Sequence, residues 1–137
     1  FFFKQKTAYE ITRWLEFRRV LFRSLAVHIE LQCEGQQLLE QQLRPELKRN
    51  LLLIVKEALN NIQKHAQASE LRFICQFMPN TVHVLIRDNG VGFIKSPGFN
   101  QGNGMKNMQK RAADLGGSLD IAFDAGTVLR LQFPWNQ

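Results

Sequence analysis

The stretch Pro45-Glu-Leu-Lys-Arg-Asn-Leu-Leu-Leu-Ile-Val-Lys-Glu-Ala-Leu-Asn-Asn-Ile-Gln-Lys-His65 decides how the rest of the chain is read. Leu47, Leu51, Ile54, Val55, Ala58, Leu59 and Ile62 recur at three- and four-residue intervals. That is the period of a helix with one apolar face, and proline suits its first turn. Arg44, at the expected N-cap, is a weak capping residue. The apolar face must lie on something, and the segments on either side alternate with period two instead. Before the helix, Val27, Ile29, Leu31 and Cys33 alternate with His28, Glu30 and Gln32, and Gly35 then marks a turn. After it come Leu71/Phe73/Cys75/Phe77 and Val82/Val84/Ile86, joined by Pro79-Asn80 as a hairpin turn.

An irregular stretch from Ile94 to Asn103 leads to a second helix from about Met105 to Leu115, which Gly116-Gly117 stops. Two more alternating strands, Leu119/Ile121/Phe123 and Leu129/Leu131/Phe133, are joined through Asp124-Ala125-Gly126. Hairpin-paired strands with helices able to cover one face predict an α+β fold. The expected architecture is a two-layer α/β sandwich with a mixed, mostly antiparallel sheet and the helices on one side.

The chain has 137 residues, the size of one domain, and its apolar and charged fractions are those of an ordinary globular protein. Its formal charge of +6 is unevenly placed: residues 1–24 carry six Lys/Arg against two Asp/Glu, and residues 25–137 carry twelve against ten. The larger part is nearly neutral, which argues against nucleic-acid binding. Residues 1–24 also hold five of the eleven phenylalanines. This first segment resembles adapter-derived sequence found at the ends of translated metagenomic assemblies, and it is read as foreign to the natural protein. The competing reading is an amphipathic linker helix with Ile11, Trp14 and Leu15 on one face. Residues 25–137 form the expected domain. Cys33 and Cys75 lack metal-ligand spacing and read as free, packed thiols in a reducing compartment. No apolar run reaches the roughly 18 residues of a spanning helix.

Three clusters carry chemistry. On the long helix, Glu57, Asn61, Lys64 and His65 stand at i, i+4, i+7 and i+8, sharing a stripe turned roughly 100° from the apolar face. An amide oxygen from Asn61, helped by Glu57, is a sensible partial shell for Mg²⁺, and Lys64 and His65 could meet phosphate oxygens. A solvated polar helix face explains the same residues. Asp88, in Asp88-Asn-Gly90-Val-Gly92-Phe93, shares register with Val82, Val84 and Ile86 and should point inward. A buried carboxylate needs partners, and the amino group of adenine would be one, beside backbone left bare at Gly90 and Gly92. A tight turn after a strand is the plainer reading. Gly102 and Gly104 precede Met105 and the second helix, so their amides could face phosphate, although such a pair is weak evidence alone. Thr127 enters the apolar face of the last strand beside Gly126, satisfied there by backbone or by a ligand-bound water. Met105 and Met108 read as packing residues, and His28 and His83 as exposed positions of strands.

Order and spacing of these clusters make residues 25–137 resemble the ATP-binding catalytic domain of bacterial sensor histidine kinases, in the subgroup paired with helix-turn-helix response regulators. Glu57 to Ala66 looks like its N box, Asp88 to Phe93 its G1 box and Gly102 to Gly117 its G2 box. The form Met108-x-x-Arg-Ala-x-x-Leu-Gly-Gly117 is typical of the subgroup, and Gly126-Thr127 matches the terminal Gly-Thr. The resemblance implies a Bergerat-type fold holding ATP between the long helix, the G1 turn and a short lid from Ile94 to Asn103. It implies Asn61 as Mg²⁺ ligand and Glu57 as the residue that organises metal-bound water or assists proton transfer. It further implies phosphate contacts at Lys64 and His65, and adenine N6 recognition by Asp88 with Gly90 and Gly92 near the base. Gly102, Gly104 and Met105 fall in the phosphate and lid region, and Thr127 near adenine.

Such kinases transfer phosphoryl to a histidine flanked by acidic residues on a dimerisation helix. None of His28, His65 and His83 has that context, so the expected partner is a separate histidine-bearing dimerisation domain, with a response regulator reached through the full-length kinase. The resemblance also implies a cytoplasmic, monomeric domain, from a parent that can be anchored at the inner membrane. The alternatives are an anti-sigma serine kinase, another ATPase of the same superfamily, or a degenerate nucleotide-binding module.

Overall fold

The computed structural model describes residues 28–34, 44–92 and 103–134. The first segment, the expected turn at Gly35 and most of the expected lid therefore lie outside the described residues. Five strands form one sheet: β1 (His28–Glu34), β2 (Glu70–Phe77), β3 (Thr81–Asp88), β4 (Ser118–Phe123) and β5 (Thr127–Pro134). Their order across the sheet is β1-β2-β3-β5-β4. β1 runs parallel to β2, and the other three pairings are antiparallel. A parallel neighbour needs a crossover, which helix α1 (Pro45–Asn61) lies in position to supply between β1 and β2. The hairpins β2–β3 and β4–β5 form as the turn residues predict, with Met78 N–H donating to the Thr81 carbonyl at 2.8 Å. β5 rather than β4 then lies beside β3, so β2, β3 and β5 are the inner strands, β1 and β4 are the edges, and helix α2 (Asn103–Asp114) leads into the second hairpin.

Alternation in the sequence translates into faces. Leu71, Phe73, Cys75 and Phe77 of β2, Val82, Val84 and Ile86 of β3, and Leu129, Leu131 and Phe133 of β5 are buried on one side. They meet Leu47, Leu51, Ile54, Val55, Ala58, Leu59 and Ile62 from α1 and Met108, Ala112 and Leu115 from α2 in one cluster. Full burial of each large side chain contributes about 2 kcal/mol. The other side is mostly polar, apart from Val128, Ile74 and Leu85, and carries the exposed ion pairs Arg72–Glu30 at 3.2 Å and Arg87–Asp124 at 3.6 Å. Pairs so solvated contribute little.

Three expectations change. The alternation of the last two strands sets Leu119, Ile121 and Phe123 on one face, yet Leu119 and Ile121 are only partly buried and Phe123 is 44 % exposed. β4 is an edge strand, and the cover over its end is thin. The first helix was read as continuous to His65, but it ends at Asn61 and widens into a π turn, Ile62–Ala66. Gln67 then stops it in the left-handed conformation, with φ of 51°. His83, expected in the open, is half-buried and bonded to the Thr81 hydroxyl at 3.1 Å.

Candidate functional site

Asp88 closes β3 at 2 % exposure, on the side that carries Val84 and Ile86. Its Oδ1 accepts the Gly90 amide at 2.8 Å and the Thr127 amide at 3.2 Å. Its Oδ2 is buried and has no hydrogen-bond partner. Desolvation is the largest influence on this carboxyl and raises its pKa above the ordinary 3.8. The Gly90 and Thr127 amides and the Thr127 hydroxyl pull the other way. A buried acceptor left open is costly, and this oxygen has room in its bonding for one more donor.

Backbone forms the walls around it. Gly92 takes φ of 81°, and a Cβ there would sit 2.6 Å from the Phe123 ring and 3.5 Å from Thr127 Oγ1. At Gly126, with φ of 135°, a Cβ would overlap the Asp88 carbonyl. At Gly90 it would overlap the Ala66 carbonyl. The turn after β3 is thus pressed onto the end of the first helix. Val91 N–H donates to the Ala66 carbonyl at 2.8 Å. Asn89 completes the junction: its Oδ1 accepts the amides of Ser69 and Glu70, each at 2.9 Å, and its Nδ2 donates to Ser69 Oγ at 2.8 Å.

The helix cluster does not keep the uniform stripe that an ideal helix would give. Asn61 is buried at 7 % and its Nδ2 has no partner. Glu57 and His65 are half-buried, whereas Lys64 is exposed. Lys64 and His65 lie in the wider π turn, which advances fewer degrees per residue than the α-helix behind it. From the other side, Gly104 in the first turn of α2 comes so close to Glu57 that a Cβ would overlap its Oε1. Met105 is partly buried against the core. Gly102, Phe93 and residues 94–102 of the expected lid lie outside the described residues.

Thus Asp88, Gly90, Gly92 and Thr127 converge at one end, and Glu57 meets Gly104 across the two helices. Two contributors were not foreseen. Asn89 gave no signal, because its partners lie 19 and 20 residues away in sequence. Phe123 was assigned inward by alternation, and only the edge position of β4 turns it into a neighbour of Gly92. Among the described residues no group of three or more His, Cys, Asp or Glu could hold a metal ion. A cation here would need oxygens from a ligand beside Asn61 and Glu57.

Fold and site together describe an α+β domain with buried, incompletely bonded polar groups, Asp88 and Asn61, at the seam between helices and sheet. Residues 46–137 match the family described as histidine kinase-, DNA gyrase B-, and HSP90-like ATPase. The nitrate/nitrite sensor protein NarQ of Escherichia coli is 39 % identical over 92 residues, covering 64 % of this chain and 16 % of NarQ. The sensor histidine kinase DesK of Bacillus subtilis is 33 % identical over 91 residues, 66 % of this chain and 25 % of DesK. The solved histidine kinase domain from the Erythrobacter litoralis EL346 blue-light activated kinase superposes with a TM-score of 0.66 at 24 % identity, covering 82 % of this chain and 53 % of that one. The chain belongs to this ATPase family, as a catalytic domain of the sensor histidine kinase type. It spans a quarter or less of the two curated relatives named.

Proposed function

We propose that this domain binds Mg·ATP and presents the γ-phosphate to a histidine on a separate dimerisation domain, within a kinase that signals to a helix-turn-helix response regulator. The observation that carries the reading is the buried, unpartnered Asp88 Oδ2, on a carboxyl whose other oxygen is held by the Gly90 and Thr127 amides. An exocyclic amine would supply the missing donor, and a guanine carbonyl at the same point would not. Gly90 and Gly92 would lie near the base, and Thr127 would hold its edge.

Asn61 suits a hard cation, since its amide can turn an oxygen toward a ligand by a half-rotation and is otherwise left unpaired. Bound there with phosphate oxygens, Mg²⁺ would neutralise charge on the transferring group. Glu57 would orient water or take a proton at that end, Lys64 and His65 would contact phosphate, and Gly102, Gly104 and Met105 would border the phosphates and lid. Transfer breaks the bond from the γ-phosphorus to its bridging oxygen and forms one to the histidine nitrogen, so the domain's task is positioning and electrostatics. The parent kinase would hold this domain in the cytoplasm; among the described residues no helix is long and apolar enough to cross a membrane.

Calorimetric titration of ATP with and without Mg²⁺ tests the site. Asn61→Asp is expected to change the Mg²⁺-dependent part of the affinity by about tenfold or more and to leave Mg²⁺-free binding nearly unchanged. Identical titrations for variant and wild type would refute the metal assignment. Phosphoryl transfer to a supplied dimerisation domain decides between a kinase and a degenerate nucleotide-binding module.

A further inference from the structure

Arg111 is the arginine of the Met108-x-x-Arg motif, and nothing in the proposed chemistry uses it. Its Nη1 donates to Asn50 Oδ1 at 2.9 Å. Asn50 is 8 % exposed and stands on the face of α1 that also buries Leu47, Leu51 and Ile54. A buried amide on an apolar face is a cost unless it is bonded, and α2 supplies the bond.

The spacing gives this contact a meaning beyond stability. Asn50 and Glu57 are seven residues apart on α1, and Gly104 and Arg111 are seven apart on α2. The helices run antiparallel, with Asn50 meeting Arg111 and Glu57 meeting Gly104. Both intervals are two helical turns, about 10.5 Å. The same register therefore satisfies Asn50 and seats the first turn of α2 against Glu57. α2 is also held by apolar packing, through Met105, Met108 and Ala112, with Leu115 just beyond its end. Apolar contacts, methionine's above all, tolerate sliding, whereas a directional bond to a buried acceptor does not.

We infer that the Asn50–Arg111 bond is a register pin: it positions α2 axially so that its N-terminal turn meets Glu57 and the phosphate end of the ligand. This rests on the Mg·ATP reading above. Asp88, Gly92 and Thr127, the base end, belong to the sheet and its turns and do not depend on where α2 sits along its axis.

Calorimetry with Mg·ATP and with adenosine as the two probes separates these ends. Arg111→Ala is expected to weaken Mg·ATP on the order of tenfold and to leave adenosine within about twofold, since small misplacements of a positioning element are costly. Asn50→Ala should do the same, and the double variant should be no worse than either alone. Asn50→Asp keeps an acceptor for the guanidinium and should hold the wild-type ratio of the two affinities. Asn50→Leu combined with Arg111→Ala refills the space with apolar atoms. It should regain melting temperature without regaining the ATP-to-adenosine ratio, and recovery of that ratio would reduce the pair to packing. Equal losses for both probes, or an unmoved ratio in Arg111→Ala, would overturn the pin. A wild-type chain that binds neither probe would instead overturn the nucleotide reading itself.

Discussion

Asp88 carries a structural cost alongside its proposed recognition role. Its carboxyl has a folded pKa above the ordinary 3.8, so between those two values the native state binds more protons than the unfolded one. Stability from this group is accordingly greatest below 3.8 and falls as pH rises through the folded value, where the charge must be held without a partner for Oδ2. Asp88→Asn retains an oxygen to accept the Gly90 and Thr127 amides and removes the charge. In the ligand-free domain it is expected to melt at a higher temperature than wild type at neutral pH, with the difference closing in acid. Thermal melts at two pH values check this, and a lower neutral-pH melting point would contradict it. The same substitution should reduce the preference for ATP over GTP by about tenfold or more, the worth of a charged hydrogen bond in such a site.

Between elements, the junction of the π turn with the turn after β3 is where the two ends of the site are tied together. Asn89 contributes three side-chain hydrogen bonds to it while remaining exposed. At roughly 0.5 to 1 kcal/mol for each solvated bond, Asn89→Ala should cost about 2 kcal/mol in urea unfolding. Gln67 ends the helix in a left-handed conformation that side chains disfavour. Gln67→Gly is therefore expected to raise stability by up to about 1 kcal/mol in the same experiment, and a loss would mean that the glutamine side chain holds the junction. The alternation of β2 and β3 and the apolar period of α1 made these elements legible in advance. The π turn and the Asn89 bonds were not, because both arise from contacts between segments that sequence does not place side by side.

Across the molecule, the buried cluster runs from Leu47 to Phe133. We propose that residues 1–24 are foreign to the natural protein: removing them should leave the melting temperature and the ATP affinity nearly unchanged, and a large drop in either would show the segment to be native. Periodicity and turn residues determined the two layers, the strand hairpins and the inward register of Asp88 and Thr127, because each follows from side-chain spacing along a single element. Motif order was enough to indicate the kinase-like domain. Tertiary structure alone decided that β5 lies between β3 and β4, that Phe123, paired with Thr127 on the edge strand, is left exposed beside Gly92, and that Lys64 leaves the stripe of Glu57 and Asn61. It alone set α2 in the register that joins Arg111 to Asn50 and Gly104 to Glu57. A sequence period fixes which face of an element is apolar, but how far one element slides along another is settled only by contacts made after they pack.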